Sequence, residues 1–339
     1  MAGAVSDEQR PAWHARGFFV SQTAYVGGAL AFIIVVMSVL APAFLTLGNL
    51  VNVGTNFSYI AIVSLGATLV ILTAGIDLSV GSVMALTAIL TALLFRWTSA
   101  TPLTAVPGLA MCVAVLGGLL AACLIGLING LLIARLGLTP FVTTLGMLSV
   151  ARGLCYAITR GAGVAITGPD ADLFSDLTDG SVLGVPLPLV YLLVLAAAMA
   201  VFLHHTASGR YVFALGGNER AARLAGVPVA RVKAGVYVAS ALLAGFAGIL
   251  MAGWLGSVPA NLAQGYELRI IAAAVIGGAN LNGGIGGPSG AVVGAALIEV
   301  IRNGLVLARV DTYWQDTLVG VIIIAAVVVD RLRSRRIRT

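Results

Sequence analysis

Charge is scarce in this chain. Only 9% of its 339 residues are Asp, Glu, Lys or Arg, and there is a single lysine, Lys233. A phosphate-binding P-loop requires G-x-x-x-x-G-K-[ST]. Lys233 is followed by Ala234 and has no glycine before it, so this chain is no P-loop ATPase, and any ATP-driven role requires a separate subunit. Histidine is almost as rare. His14, His204 and His205 all lie at the aqueous ends of apolar runs. Gly287-Pro288-Ser289-Gly290 matches the G-x-S-G of intramembrane serine proteases, but a serine nucleophile needs a base within hydrogen-bond reach, and no histidine falls inside a run. No His/Cys cluster offers a metal site. The sequence thus assigns no catalytic residue, no metal and no cofactor to the chain. The three cysteines, Cys112, Cys123 and Cys155, sit in apolar runs. Cys112 and Cys123 would lie about 16 Å apart along one helix, too far for a disulfide.

What the chain has in plenty is apolar length. It is 60% hydrophobic with 42 glycines, which no ordinary soluble domain of this size matches. Runs of about 20 apolar residues cross a bilayer as helices, and small residues let such helices approach closely. The reading is an all-α integral membrane protein with about ten spans. They fall at 21–40, 50–73, 77–95, 103–135, 139–158, 186–203, 234–256, 266–282, 287–308 and 314–330. Residues 1–20 form a polar N-terminal segment, 21–330 one transmembrane domain and 331–339 a basic tail. Five arginines crowd that tail. Six spans precede the polar insert at 204–233 and four follow it, so both termini and the insert share one compartment. All three are basic, which places them in the cytoplasm. The net charge of +6 therefore needs no nucleic acid to explain it. The loop at 159–185 lies on the other side. It carries Asp170, Asp172, Asp176 and Asp179 with one arginine, as a plain external loop or a docking surface for an external protein.

The insert holds the most specific local signal. In Gly209–Lys233, Asn218 can cap a short helix, with Glu219 in the first turn where the helix dipole favours negative charge. Ala221, Ala222, Leu224 and Ala225 are good helix formers. Gly226 suits a left-handed C-terminal cap, and Pro228 stops the helix. The helix is either an ordinary solvated loop element or a docking helix for a cytoplasmic partner. So short a helix is marginal alone and needs a brace.

Two glycine-rich stretches, 73–82 and 277–290, break apolar runs. Such breaks survive near lipid only where protein or a wet cavity surrounds them, and in transporters they often mark the pathway. Asp77, in the first stretch, reads as the N-cap of the following helix or as a pathway or gating residue. Asn129 and Asn303 suit hydrogen bonds between helices, Asn129 being also a pathway candidate. Arg152 sits within a span, to snorkel or to pair in the bundle. Glu299 and Arg302 are spaced to pair on one helix face. Tyr266, Glu267 and Arg269 fall at the outer mouth of the eighth span, where Glu267 is a candidate contact for a ligand or a docked protein. Tyr313 and Trp314 suit an interface.

Five segments in order resemble the ribose/xylose/galactose permease family, the transmembrane subunits of bacterial ABC importers for monosaccharides. They are GIDLSVGS at 75–82, GLINGLLIARLGLTPFVTTLGMLSVARGL at 126–154, GRYVFALGGNERAARLAGVPVARVK at 209–233, GYELRIIAAAVIGGANLNGG at 265–284 and WQDTLVGVIIIAAVVVD at 314–330. The resemblance implies an ABC importer permease fold with broken helices, in the bacterial inner membrane. It implies that the short cytoplasmic helix is the coupling helix, which on this chain points to Glu219, Ala221, Ala222, Leu224 and Gly226. It implies partners: a second permease chain, an ATPase subunit holding ATP and Mg, and a periplasmic sugar-binding protein. Arg269 departs from the family, which often has an acid there. The alternatives are a permease for branched-chain amino acids or nucleosides in the same superfamily, and an ion-coupled secondary transporter. The absence of intramembrane histidine argues against the latter.

Overall fold

The computed structural model describes residues 16–311 together with 314, 317, 318, 320 and 321, residues 16–23 by backbone alone. The N-terminal segment 1–15, the basic tail 331–339 and nearly all of the tenth expected span lie outside the described residues. The architecture is all-α, an integral membrane protein crossing more than once.

Seven helices among the described residues are long and apolar enough to cross a bilayer: α2 (Leu47–Leu72), α3 (Val80–Thr98), α4 (Leu109–Ala134), α5 (Pro140–Thr159), α7 (Leu187–His205), α10 (Val229–Leu255) and α12 (Pro288–Leu307). α1 (Arg16–Leu40) precedes them, starting five residues ahead of the expected span. The eighth expected span, 266–282, is different. Only α11 (Tyr266–Ile276) is helical there. Eleven residues reach about 16 Å, half a hydrocarbon core, and the glycine-rich stretch after them cannot extend the helix. The full count of ten is therefore not reached among the described residues.

α2, α3 and α10 form the centre. Residues 58–72 of α2 are buried throughout, including Tyr59, Ile62, Leu65 and Val70. Small residues allow the close contacts. On α4, Gly126 and Gly130 lie four apart and both rest on α10. A Cβ at Gly126 would come 2.7 Å from the Tyr237 carbonyl, and one at Gly130 2.7 Å from the Ala234 Cα. Without a hydrophobic drive between helices in lipid, such backbone approach supplies the dispersion contacts that hold spans together. α4, α5 and α7 present leucines and valines outward, Leu116, Leu120, Leu193 and Val194 among them. Polar clasps supplement packing: Asn49 of α2 and Asn303 of α12 exchange amide hydrogen bonds of 3.0 and 2.8 Å. Glu299 and Arg302 pair at 2.7 Å, as their spacing predicts.

α7 separates two ends. At one lie α8 (Ala207–Gly217) and α9 (Glu219–Leu224). At the other lies α6 (Ala171–Asp179) with two minimal β-pairs. β1 (Val164–Ala165) pairs antiparallel with β4 (Ser257–Val258), and β2 (Ser181–Val182) with β3 (Val185–Pro186). Not all acids of the 159–185 loop are free for docking. The Asp170 carboxylate accepts the Gly108 and Met111 N–H groups at 3.0 and 3.3 Å, satisfying the open amides at the start of α4.

Candidate functional site

The short helix of the insert forms where the sequence predicts it. The Asn218 side-chain oxygen accepts the Ala221 N–H at 3.0 Å. Gly226 adopts φ +82°, and the Val227 and Gly226 amides close back on the Ala222 and Arg223 carbonyls at 3.0 and 3.1 Å. That paired ending needs a left-handed residue, which glycine takes without strain. The brace is Lys233 on the first turns of α10. Its Nζ lies 2.8 Å from Glu219, whose other oxygen meets Arg223 at 3.1 Å. The hydrogen bond from Lys233, with Arg223 beside it, holds the Glu219 carboxyl below the usual glutamate range. The clamp is therefore ionised at neutral pH, and releases only as pH falls through that lowered value.

The five candidates of this helix do not share a face. Ala222 is buried against the body of the protein, Glu219 is half-buried in the clamp, and Ala221, Leu224 and Gly226 are exposed. Leu224 is 86% exposed, a large apolar side chain held out among arginines at the tip of the molecule.

α8 was not anticipated. The Thr206 hydroxyl accepts the Gly209 N–H at 3.0 Å and caps it, a Thr-x-x-Gly signal that the polar composition masked. Its end reaches the interior. A Cβ on Gly216 would overlap the Leu72 carbonyl and the Gly284 amide. These two groups are themselves bonded, Gly284 N–H to Leu72 O at 3.0 Å. The two glycine-rich breaks thus touch each other at the point where α8 abuts them, a convergence no linear reading reveals.

The first break carries a buried polar knot. Asp77 is 3% exposed. It is not the cap of α3, which begins at Val80 with Ser79 at the N-cap position. Leu78 and Ser79 intervene, and Asp77 instead accepts the Ser79 N–H at 3.0 Å and its hydroxyl at 2.6 Å. Its other oxygen accepts the Ser240 hydroxyl of α10 at 3.1 Å. Asn129 of α4 donates to the Ser79 oxygen at 3.1 Å. Thr144 of α5 and Tyr237 of α10 donate to the Ile76 carbonyl at 3.3 and 3.4 Å. Asp77 and Asn129 are therefore brought together, tying α3, α4, α5 and α10 around the break.

Glu267 lies elsewhere. It stands in the first turn of α11, its carboxylate against Gly81 in the first turn of α3, so two helix N-termini flank one negative charge. The loop before it is held by Arg152, whose Nη1 donates to the Ala260 and Leu262 carbonyls at 3.1 and 2.9 Å. Arg152 neither snorkels nor pairs with an acid in these bonds: it serves backbone groups that lipid could not satisfy. Arg269 stacks over the Tyr266 ring at 5.3 Å. Among the described residues no group of three metal-ligating side chains occurs.

A family described as "Branched-chain amino acid transport system / permease component" matches residues 49–327. The chain belongs to that family. The permease is similar to the ribose import permease protein RbsC of Escherichia coli (strain K12), 40% identical over 310 residues that span 90% of this chain and 92% of that one. It is 36% identical over 307 residues to the D-allose transport system permease protein AlsC of the same strain, covering 90% of each. It is 38% identical over 313 residues to the probable ABC transporter permease protein y4mJ of Sinorhizobium fredii (strain NBRC 101917 / NGR234), covering 92% of this chain and 90% of that one. No solved structure matches it. As a permease component the chain is a transport subunit and not an enzyme.

The knot gives the permease a testable weak point. Asp77→Ala strands the Ser79 amide and two hydroxyls, each buried group left unmade costing about 1–3 kcal/mol. Asp77→Asn keeps one acceptor, and its amide can donate to the Ser240 hydroxyl. Thermal unfolding in detergent should fall clearly for Asp77→Ala and less for Asp77→Asn. Equal melting of both variants and wild type would remove the knot from the stability of the bundle.

Proposed function

We propose that this permease is the membrane subunit of an ATP-driven importer for a monosaccharide, a ribose-like pentose or a hexose, delivered by a periplasmic binding protein. The observation that carries the proposal is the 40% identity to a ribose import permease over 90% of the chain. It sits in the bacterial inner membrane with both termini and the α9 end cytoplasmic, consistent with the basic charge of those segments. Two permease chains pair. α9 docks in the ATPase subunit through Leu224 and its exposed neighbours Ala221 and Gly226, while Ala222 and Glu219 fix its pose. ATP and Mg are held by that subunit. Closure of the ATPase pair pulls α9, α8 passes the displacement to the junction at Gly216, and the broken helices shift around the Asp77–Asn129 knot. Glu267, beside the first turn of α3, is carried along as a gating candidate. Each ligand drives this cycle only by favouring one conformation over another.

The family's own description favours a second reading, branched-chain amino acids as cargo. The neighbouring binding protein decides between them. A thermal-shift screen against monosaccharides and against leucine, isoleucine and valine should show stabilisation by a sugar. Liposomes holding permease, ATPase and binding protein should then take up that sugar only with ATP inside. Uptake by the permease alone, or stabilisation by the amino acids only, would reject the proposal.

A further inference from the structure

At the α6 end, a cavity of about 280 Å³ opens between the first turns of α2, the α6–β2 junction and the last turn of α10. Its polar lining comes from Asn52, Thr55, Asp179 and Ser181, and one wall is the indole of Trp254. α7 and α10 each separate this end from α9, since Pro186 and Trp254 lie at the opposite ends of those helices from His205 and Val229. The cavity therefore stands at the mouth away from the α9 helix.

The polar groups here are not consumed by the fold. Among the described residues the Asp179 carboxylate has no hydrogen bond and no ion pair. Among the described residues the Thr55 and Ser181 hydroxyls find no acceptor. Asn52 accepts from Asn56 at 2.9 Å, and its own amide N–H groups meet no acceptor among the described residues. Asp179 is the last residue of α6, where the helix dipole disfavours negative charge. Partial loss of water pushes its carboxyl above the usual aspartate range. A structural role would call for a cation at that position, and among the described residues none pairs with Asp179. A second observation points the same way. Tyr59, one turn along α2 from Thr55, is 1% exposed, and its hydroxyl has no hydrogen-bond partner among the described residues. Its ring lies 6.2 Å from that of Trp254, so the residue that braces the lining indole carries an unsatisfied buried hydroxyl.

An indole face beside a carboxylate, an amide and hydroxyls suits one class of small molecule. A sugar ring offers an apolar C–H face to stack on an aromatic plane and an edge of hydroxyls. Those hydroxyls both donate to carboxylates and accept from amides. The volume lies near the small end of ligand pockets, about 300–1,000 Å³, which fits one ring and not a chain of them. An α-amino acid fits poorly, because its carboxylate would face Asp179 with no lysine or arginine in the lining.

We propose that this cavity is a monosaccharide-binding subsite of the permease itself. The ring stacks on Trp254 while Asp179, Asn52 and the Thr55 and Ser181 hydroxyls take its hydroxyl edge. The proposal rests on the sugar-import reading and deepens it: cargo released at the mouth is held by the membrane subunit before it moves inward.

The test uses the full-length permease in detergent without any binding protein. Tryptophan fluorescence is titrated with D-ribose, D-xylose, D-galactose, L-arabinose and L-valine. At least one sugar should give a saturable change that Trp254→Phe abolishes, and L-valine none. Asp179→Asn and Asn52→Ala should each weaken it at least tenfold while elution volume and melting stay as in wild type. In liposomes with ATPase and binding protein, the same variants should raise the KM for that sugar more than they lower the maximal rate. No saturable sugar response, an equal response to L-valine, or unchanged affinity in Asp179→Asn would overturn the subsite. If the reconstituted wild-type transporter still imports the sugar in that case, the import reading stands and only the subsite falls. If it imports none of the four sugars, both fall.

Discussion

Leu224→Asp should abolish ATP-driven uptake while leaving the permease folded and inserted. The side chain is 86% exposed, so the substitution removes no internal contact and should not shift melting. If α9 docks as proposed, the same position is buried in the complex, and carrying an unpaired carboxylate into it costs roughly 3–5 kcal/mol, enough to dissociate a micromolar partner. Adding Gly226→Pro compounds the effect. Proline fixes φ near −65° and lacks the N–H, whereas Gly226 sits at φ +82° and donates to Arg223. Co-purification of the ATPase subunit and permease-stimulated ATP hydrolysis are the measurements. Normal uptake by the double variant would reject the docking role of α9.

Gly216→Ala should produce a different defect. The added methyl has no room between the Leu72 carbonyl and the Gly284 amide, and forcing it in costs about 1–3 kcal/mol or breaks their hydrogen bond. The α9 surface is untouched, so the ATPase should still bind. Uptake should fall about tenfold or more while ATP hydrolysis continues. Transport at wild-type rates would mean that the junction of the two breaks does not relay motion. The two variants together separate grip from transmission.

Much of this arrangement was legible in the residues. Asn218, Glu219 and Gly226 specify the short helix through local backbone chemistry, and the structure reproduces each role. The Glu299–Arg302 pair and the interhelical bonds of Asn129 and Asn303 also follow from spacing and from the cost of burying polar groups. What the sequence hides is long-range. Asp77 looks like a cap because it precedes an apolar run; only the fold shows Ser240 and Ser79 around it. The span expected at 266–282 is not one helix, because hydropathy cannot distinguish a crossing helix from a short one followed by a non-helical glycine-rich stretch. Asp170 and Asp179 belong to one acidic loop, yet the first caps α4 and the second lines a cavity. Composition treats them alike because neither role is set by its neighbours in the chain.

Lys233 clamps Glu219 at 2.8 Å and is the only lysine in the sequence. An amine-seeking reagent therefore has one side-chain address on this molecule, at the root of the helix proposed to dock the ATPase. Labelling there should be slow while the clamp is shut and quicken when it opens, so a rate that changed with ATP would make the wild-type protein its own gauge of the proposed coupling.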